Sequence, residues 1–435
     1  MPRNYLLGFV FISFLIWPLP CLAQTALPPV SENAPAASLT LPQALSRVYH
    51  DNPLLWKMRA EQRILEARIL QASLGPNPEF TFLSEDFAGS AAFSQDRFTQ
   101  FTLGLVQTLV LGDKVALRTR LAQVQQQLLY WDYRLQLQEL GAQVYRAYAR
   151  LQNLEAEQNL LATLMANARE VDALLNLAVA RGKLAPTVLL QSELALKVLE
   201  TEASRLQLQA RLQNQELAAL WGTAEADFSV PGGTLEIELA PLASLEQALP
   251  RHPRLARWAL DRQQRQLALD AARAQAAPDL SLAGGVRYHP PLDWGMVLSL
   301  DIPFPFANGN QGNIEEARLR QEMWATERDQ EERALQGLLR RAYAQAQGLA
   351  LQLELLTQQV SLAQAQQQAA IKAFAAGKTG YLDVLTATQN LVQLSRQRVQ
   401  TQGEHRLALI EVLSYTVELL PEPAGAGLSI QKGAP

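Results

Sequence analysis

A pair of prolines 25 residues apart occurs twice in this chain, Pro53 with Pro78 and Pro253 with Pro278, and that repetition constrains the fold more than any other feature. Leu41-Pro42-Gln43-Ala44-Leu45 recurs as Leu245-Glu246-Gln247-Ala248-Leu249, Asn52-Pro53 as His252-Pro253, and Pro78-Glu79 as Pro278-Asp279. Further on, Arg181-Gly182-Lys183 is answered by Ala376-Gly377-Lys378, and from the first prolines to these glycines the offset drifts only from 200 to 195. A chain repeated in this way must pack two equivalent sets of elements, so the repeat is read before the elements.

Each half has the same layout. A helix over 54–75 or 254–277 is ended by a proline; a strand–loop–strand unit follows over 79–110 or 279–304. Then come a very long helix, 113–180 or 313–376, a glycine-containing turn, and a second helix of about 36 residues that completes hairpins over 113–221 and 313–417. The chain thus divides into a leader 1–23, an extended linker 24–40, a first repeat 41–222, a connector 223–243, a second repeat 244–417 and a tail 418–435. Within the connector, 234–239 alternates as a short strand.

The leader reads as a secretory signal: Arg3 supplies positive charge, 6–17 a short apolar stretch, and Cys21-Leu22-Ala23 a small-residue cleavage site before Gln24. Pro20 is a poor fit to the small residue that lipidation of Cys21 would need, and Cys21 is the only cysteine, so the processed chain has no disulfide or thiolate chemistry. Elsewhere nothing approaches the roughly 18 uninterrupted apolar residues of a membrane helix. An exported chain of this kind spans a membrane only as a closed β-barrel. A net charge of -4 gives no footprint for nucleic acid. Four scattered histidines (His50, His252, His289, His405) make no metal site, and no cofactor is expected.

The long helices contain no proline, and Gly141 is the only glycine of the first. Leu349, Leu353, Leu356, Val360, Ala363, Gln367, Ala370 and Phe374 are spaced by alternating steps of four and three, as are Val124, Leu128, Trp131 and Leu135. A sustained 3.5-residue repeat drives helices to coil around their neighbours. The other faces are Gln-, Arg- and Glu-rich, a composition that suits both the wall of a hollow helical cylinder and an ordinary solvated coiled coil.

In the second strand unit Leu280, Leu282, Gly284, Val286 and Tyr288 alternate with Ser281, Ala283, Gly285, Arg287 and His289, and Trp294, Met296, Leu298, Leu300 and Ile302 alternate with a smaller, mostly polar set broken by Val297. Phe80, Phe82, Phe101, Leu103 and Leu105 do the same in the first unit. One apolar face edged by aromatics is the pattern of a membrane barrel strand, although a small soluble sheet with one buried face alternates likewise. Four strands cannot close around a lumen, since about eight are needed even for a filled barrel. Three copies would supply twelve.

From 41 to 416 the chain resembles the TolC family of outer-membrane efflux proteins. The resemblance rests on the strand-to-helix junction Gly104-Leu105-Val106-Gln107 … Leu111-Gly112-Asp113-Lys114 … Arg118, and on its second copy Ile302-Pro303-Phe304-Pro305-Phe306 … Asn308-Gly309-Asn310-Gln311-Gly312-Asn313-Ile314 … Ala317. The proline pair followed by Asn-Gln-Gly is similar to the heavy-metal branch, the partners of cobalt–zinc–cadmium and copper–silver pumps. In these junctions Gly112 and Gly309 would permit the turn, Pro303 and Pro305 would stop the strand, and Asn310 or Asn313 would cap the next helix. The resemblance implies a mostly α homotrimer with a 12-stranded barrel in the outer membrane of a Gram-negative bacterium, continued by a long periplasmic helical barrel. It implies hairpin tips at Arg181, Gly182, Lys183, Leu184, Gly377, Lys378 and Thr379 that dock a periplasmic adaptor, an RND-type inner-membrane pump as the energised partner, and outer-membrane lipid around the strands. Asp383 is similar in position to an aspartate lining the entrance; the family's second aspartate is Thr386 here.

The function expected is a passive exit duct, for heavy-metal cations or, within the same family, for drugs, other small molecules or type I secretion. A periplasmic adaptor, which would have one helical hairpin and a flanking β-domain, fits two hairpins and two strand pairs less well. An enzyme is not expected: no nucleophile–base pair, phosphate loop or paired carboxylate motif is present, and Gly284-Gly285 lies in a strand instead of opening a helix.

Overall fold

A computed structural model of the chain describes residues 37–86, 99–182, 184–233, 237–289, 293–416 and 419. The leader with Cys21, the tail from 420 and Lys183 lie outside the described residues.

A capping box opens α1 (Leu41–Asp51): the Thr40 amide donates to Gln43 Oε1 at 2.9 Å while the Thr40 side chain takes the reciprocal bond. Asn52 then caps α2 (Pro53–Ser73), whose first-turn proline needs no hydrogen-bond partner. Strands β2 (Glu79–Glu85) and β3 (Gln100–Leu109) lead to α3 (Lys114–Ala180), 67 residues or on the order of 100 Å long, which folds back as α4 (Thr187–Ala219). The second half repeats this series: α5 (Leu242–Ala248), a tight turn Leu249–Arg251, α6 (Pro253–Ala256), α7 (Trp258–Ala274), β5 (Leu280–His289), β6 (Asp293–Asp301), α8 (Gln311–Ala375) and α9 (Tyr381–Thr416).

The four strands form one antiparallel sheet in the order β2-β3-β5-β6, so the central β3–β5 ladder joins the two halves and β2 and β6 are the edges. The two helical hairpins lie side by side through α3 and α9. Apolar layers hold them: Ala44, Val48 and Tyr49 of α1 bury against Tyr133, Leu137, Leu140 and Val144 of α3, and Leu245 and Leu249 bury against Leu335, Leu339 and Val412. Along α8 the 3.5-residue stripe is the packed one; Leu356, Val360 and Ala363 are buried, the latter two beside Leu391 of α9.

Three sequence readings are corrected. The helix over 254–277 is two pieces joined at Arg257, which keeps helical dihedrals (φ -64°, ψ -23°). In the connector, residues 237–239 are not a strand and 234–236 lie outside the described residues; the connector's strand is β4 (Phe228–Ser229), paired in parallel with β1 (Ala37–Ser38) of the expected extended linker. The alternation at 237–239 has another cause: Ile237 and Leu239 pack onto the α8–α9 pair beside Ala346 and Leu409. In the second junction the left-handed residue is Asn310 (φ 61°) and not Gly309, and Asn310 begins α8 without a side-chain capping bond. Its side-chain Nδ2 donates instead to the Ala272 carbonyl at 2.7 Å, near the end of α7, and its side-chain oxygen accepts from Asn313.

Candidate functional site

The strand register sorts the sheet into two faces. Phe80, Leu105, Gly284 and Leu298 share one row, and Phe82, Leu103, Val286 and Met296 the next, so one face is apolar. It is also bare: Phe80 is 68% exposed, Leu298 78% and Met296 94%. The opposite face carries Thr81, Gly104, Gly285, Ser299 and a polar group at one end. There Arg287 donates to Thr102 Oγ1 and Gln100 Oε1, both at 2.9 Å, and pairs with Glu85 at 3.3 Å. Arg287 therefore spans three strands, β5 to β2 across β3. Sequence reading placed it in the polar set but gave no sign of its partners. Gly104 and Gly285 face each other across β3 and β5, where a Cβ on Gly285 would lie 2.5 Å from the Leu103 carbonyl oxygen.

At the base of the sheet the two junctions turn strand into helix. Gly112 (φ 72°) and Asp113 (φ 56°) make the first turn left-handed, and Lys114 begins α3. The Lys114 ammonium is nearly buried and donates at 2.7 Å to both the Ala277 carbonyl and Asp279 Oδ1, which also accepts from the Leu111 amide. These bonds hold the Asp279 carboxyl below the usual aspartate range. They cross from the first half to the second. Within the first half Arg118 adds a further tie, donating from Nε to Ala72 at 2.6 Å and from Nη2 to Leu74 at the end of α2. In the second junction Pro303 and Pro305 follow β6 exposed, and Gln311 Oε1 accepts from the Gly309 amide at 3.1 Å while Gly312 is open to solvent.

The opposite ends of the hairpins are brought together. Gly182 and Gly377 are left-handed (φ 71° and 70°), and the Gly377 and Lys378 amides return to the Phe374 and Ala373 carbonyls at 2.9 Å, closing α8. Leu175 of α3, Tyr381 and Val384 of α9, Leu184 and Phe374 form one apolar plug linking both tips. Burial raises the Tyr381 phenol pKa. Arg181, Lys378 and Thr379 are exposed around it, as is Asp383 in the first turn of α9. Thr386, where the expected second aspartate is missing, donates its hydroxyl to Leu382 of its own helix at 2.9 Å.

Among the described residues no group of three His, Cys, Asp or Glu side chains is placed to hold a metal ion, and no helix is long and apolar enough to cross a membrane. The sequence profile described as outer membrane efflux protein matches residues 244–416, the second half of this duplicated chain. Those residues match the outer membrane efflux protein family. The chain is 29% identical over 383 residues to the cobalt-zinc-cadmium resistance protein CzcC of Cupriavidus metallidurans, covering 85% of this chain and 88% of that one. Its fold is that of the solved structure of CusC (TM-score 0.73, 17% identity, 89% of this chain and 95% of that chain). It is equally that of the outer membrane protein VceC from Vibrio cholerae (TM-score 0.73, 17% identity, 86% and 95%). The matched family and the shared fold are those of outer-membrane channels with a long periplasmic extension, not of enzymes.

Proposed function

We propose that three copies close the sheet into a twelve-stranded barrel and that the trimer is the exit duct of a tripartite system exporting heavy-metal cations. The carrying observation is the open sheet: β2 and β6 end it as edges of backbone donors and acceptors, and its apolar face is bare. In lipid such edges must be paired, which only closure provides. Exposed apolar residues along the helices, Leu190, Leu194 and Val198 on α4 and Leu351, Leu355 and Leu362 on α8, support helical walls completed by neighbouring copies.

The tips Arg181, Gly182, Lys183, Leu184, Gly377, Lys378 and Thr379 are read as the adaptor's docking site, with an inner-membrane pump of RND type behind it. Three copies of Asp383 would ring the entrance and favour cations. The cargo rests on the likeness to CzcC, whose name is that of a cobalt-zinc-cadmium resistance protein.

Light scattering of detergent-extracted protein from the outer-membrane fraction is expected to give three times the chain mass, and deletion of the gene to lower tolerance of cobalt, zinc or cadmium. A monomer in the soluble periplasmic fraction would overturn the duct; a trimer whose loss leaves metal tolerance unchanged would overturn the cargo.

A further inference from the structure

Asn308-Gly309 is the only asparagine–glycine pair in the chain, and it lies in the turn that leads from β6 into α8, with Asn308 exposed and Gly309 half-buried. Glycine has no Cβ to screen its amide nitrogen from the preceding side chain. Here that side chain is folded back over it. Asn308 Oδ1 accepts from the Asn310 amide at 3.0 Å, the bond of an Asx turn. The ring closed by this bond contains both the carboxamide carbon Cγ and the Gly309 nitrogen, and the donor on Oδ1 draws electrons away from Cγ. One bond opposes attack: the Gly309 N–H donates to Gln311 Oε1 at 3.1 Å, which favours the protonated amide.

The first junction has no such pair. Counted back from the left-handed residues Asp113 and Asn310, Gly309 corresponds to Gly112 and Asn308 to Leu111. The first turn is also tied to the other half, by the Leu111 amide and the Lys114 ammonium on Asp279. In the second, the side-chain bonds of Asn308 and Gln311 stay within their own turn. A Cβ on Gly309 would meet only the Gln311 side chain, no nearer than 3.5 Å, so alanine fits there.

We propose that Asn308 is a site of spontaneous deamidation, through a succinimide closed by Gly309. The Gly309 amide gives its proton to hydroxide and its nitrogen bonds Asn308 Cγ. The Asn310 amide, already on Oδ1, stabilises the negative charge that this oxygen then carries. The Cγ–Nδ2 bond breaks, and Nδ2 takes a proton from water and leaves as ammonia. A second water opens the ring at either carbonyl, giving aspartate or isoaspartate with no change of oxidation state. Each copy gains a negative charge three residues before Gln311, the first residue of α8, where the helix dipole favours it. Isoaspartate also lengthens the backbone by one carbon, and so breaks the turn that the Asn310 amide and Gln311 hold.

Peptide mapping by mass spectrometry tests the site on the detergent-extracted full chain held at pH 7 and at pH 9. The peptide containing Asn308 is expected to exchange NH for O faster than any other asparagine peptide, to do so in proportion to hydroxide, and to accept methyl label from an isoaspartyl methyltransferase. Gly309→Ala should stop the exchange while the circular dichroism matches the parent. Gln311→Ala, which frees the Gly309 N–H, should speed it about fivefold, the effect of one hydrogen bond. An Asn308 peptide that changes no faster than the other asparagines, or equally fast in Gly309→Ala, overturns the site. A rate unmoved by Gln311→Ala overturns the restraint assigned to that side chain.

Discussion

Asn52 and His252 occupy corresponding places in the two halves and make the same two contacts with different side chains. Asn52 Oδ1 accepts from the Leu54 and Leu55 amides at the start of α2, and its Nδ2 donates to the Leu220 carbonyl at the end of α4. His252 Nδ1 accepts from the Arg254 amide at the start of α6, and the imidazole also hydrogen-bonds the backbone of Ser414 near the end of α9. Each residue therefore starts one helix while bonding the end of its half's hairpin, where the Ser414 carbonyl also accepts from Gln138 Nε2 at 2.7 Å.

The two contacts differ in their response to acid. Burial, with Arg254 adding to it, lowers the His252 pKa from 6.5 to about 4. The unfolded chain then binds the proton first, so the stability His252 contributes is complete above pH 6.5 and is lost as pH falls toward 4. The loss amounts to about 3 kcal/mol. His252→Asn copies the first half and should flatten that part of the profile, as measured by thermal unfolding between pH 7 and 4.

Lys114 is the donor that ties the first junction to the second half. Lys114→Met leaves Asp279 and the Ala277 carbonyl without it and should cost about 2 kcal/mol, read as a lower melting temperature. The effect should be specific to that position: Gln311→Met in the second junction removes only a bond to its own turn at Gly309 and should cost under about 1 kcal/mol.

Adjacent glycines in β5 should respond in opposite ways. A Cβ on Gly284 meets nothing within 4 Å, whereas one on Gly285 would collide with the Leu103 carbonyl. Gly284→Ala is expected to be neutral and Gly285→Ala to cost about 1–3 kcal/mol, seen as a smaller heat-resistant fraction on unboiled gels.

The two faces of β6 should differ likewise. Leu298 and Ser299 are neighbours on opposite sides of the sheet. Leu298→Arg puts a charge on the apolar face at a cost of about 2–4 kcal/mol if it sits at the bilayer midplane, and should reduce the protein recovered in the outer membrane. Ser299→Arg, on the polar face, should leave recovery near that of the parent.

Much of the fold is legible in the sequence because its signals are local. Alternation in 280–289 gives the strand, and steps of four and three give the packed stripe through Leu356, Val360 and Ala363. The errors arose where one local pattern has two physical origins. Ile237 and Leu239 alternate because they pack on helices, with no strand partner, and Asn310 has the side chain of a helix cap but spends it on Ala272. The Arg287 cluster and the Lys114–Asp279 bond were hidden for another reason, as each joins residues more than 160 positions apart.

By itself the sequence determined the duplication, the kind and order of elements in each half, and the residues that end them, since prolines, glycines and hydrophobic period act within a few residues. The tertiary structure alone decided that the halves are unequal in their surroundings. α3 is covered on both flanks, by α2 and α7, while α8 keeps one flank bare. The physical reason is that periodicity fixes which face of a helix is apolar but not which helix will cover it, and in a duplicated chain two such partners are nearly equivalent.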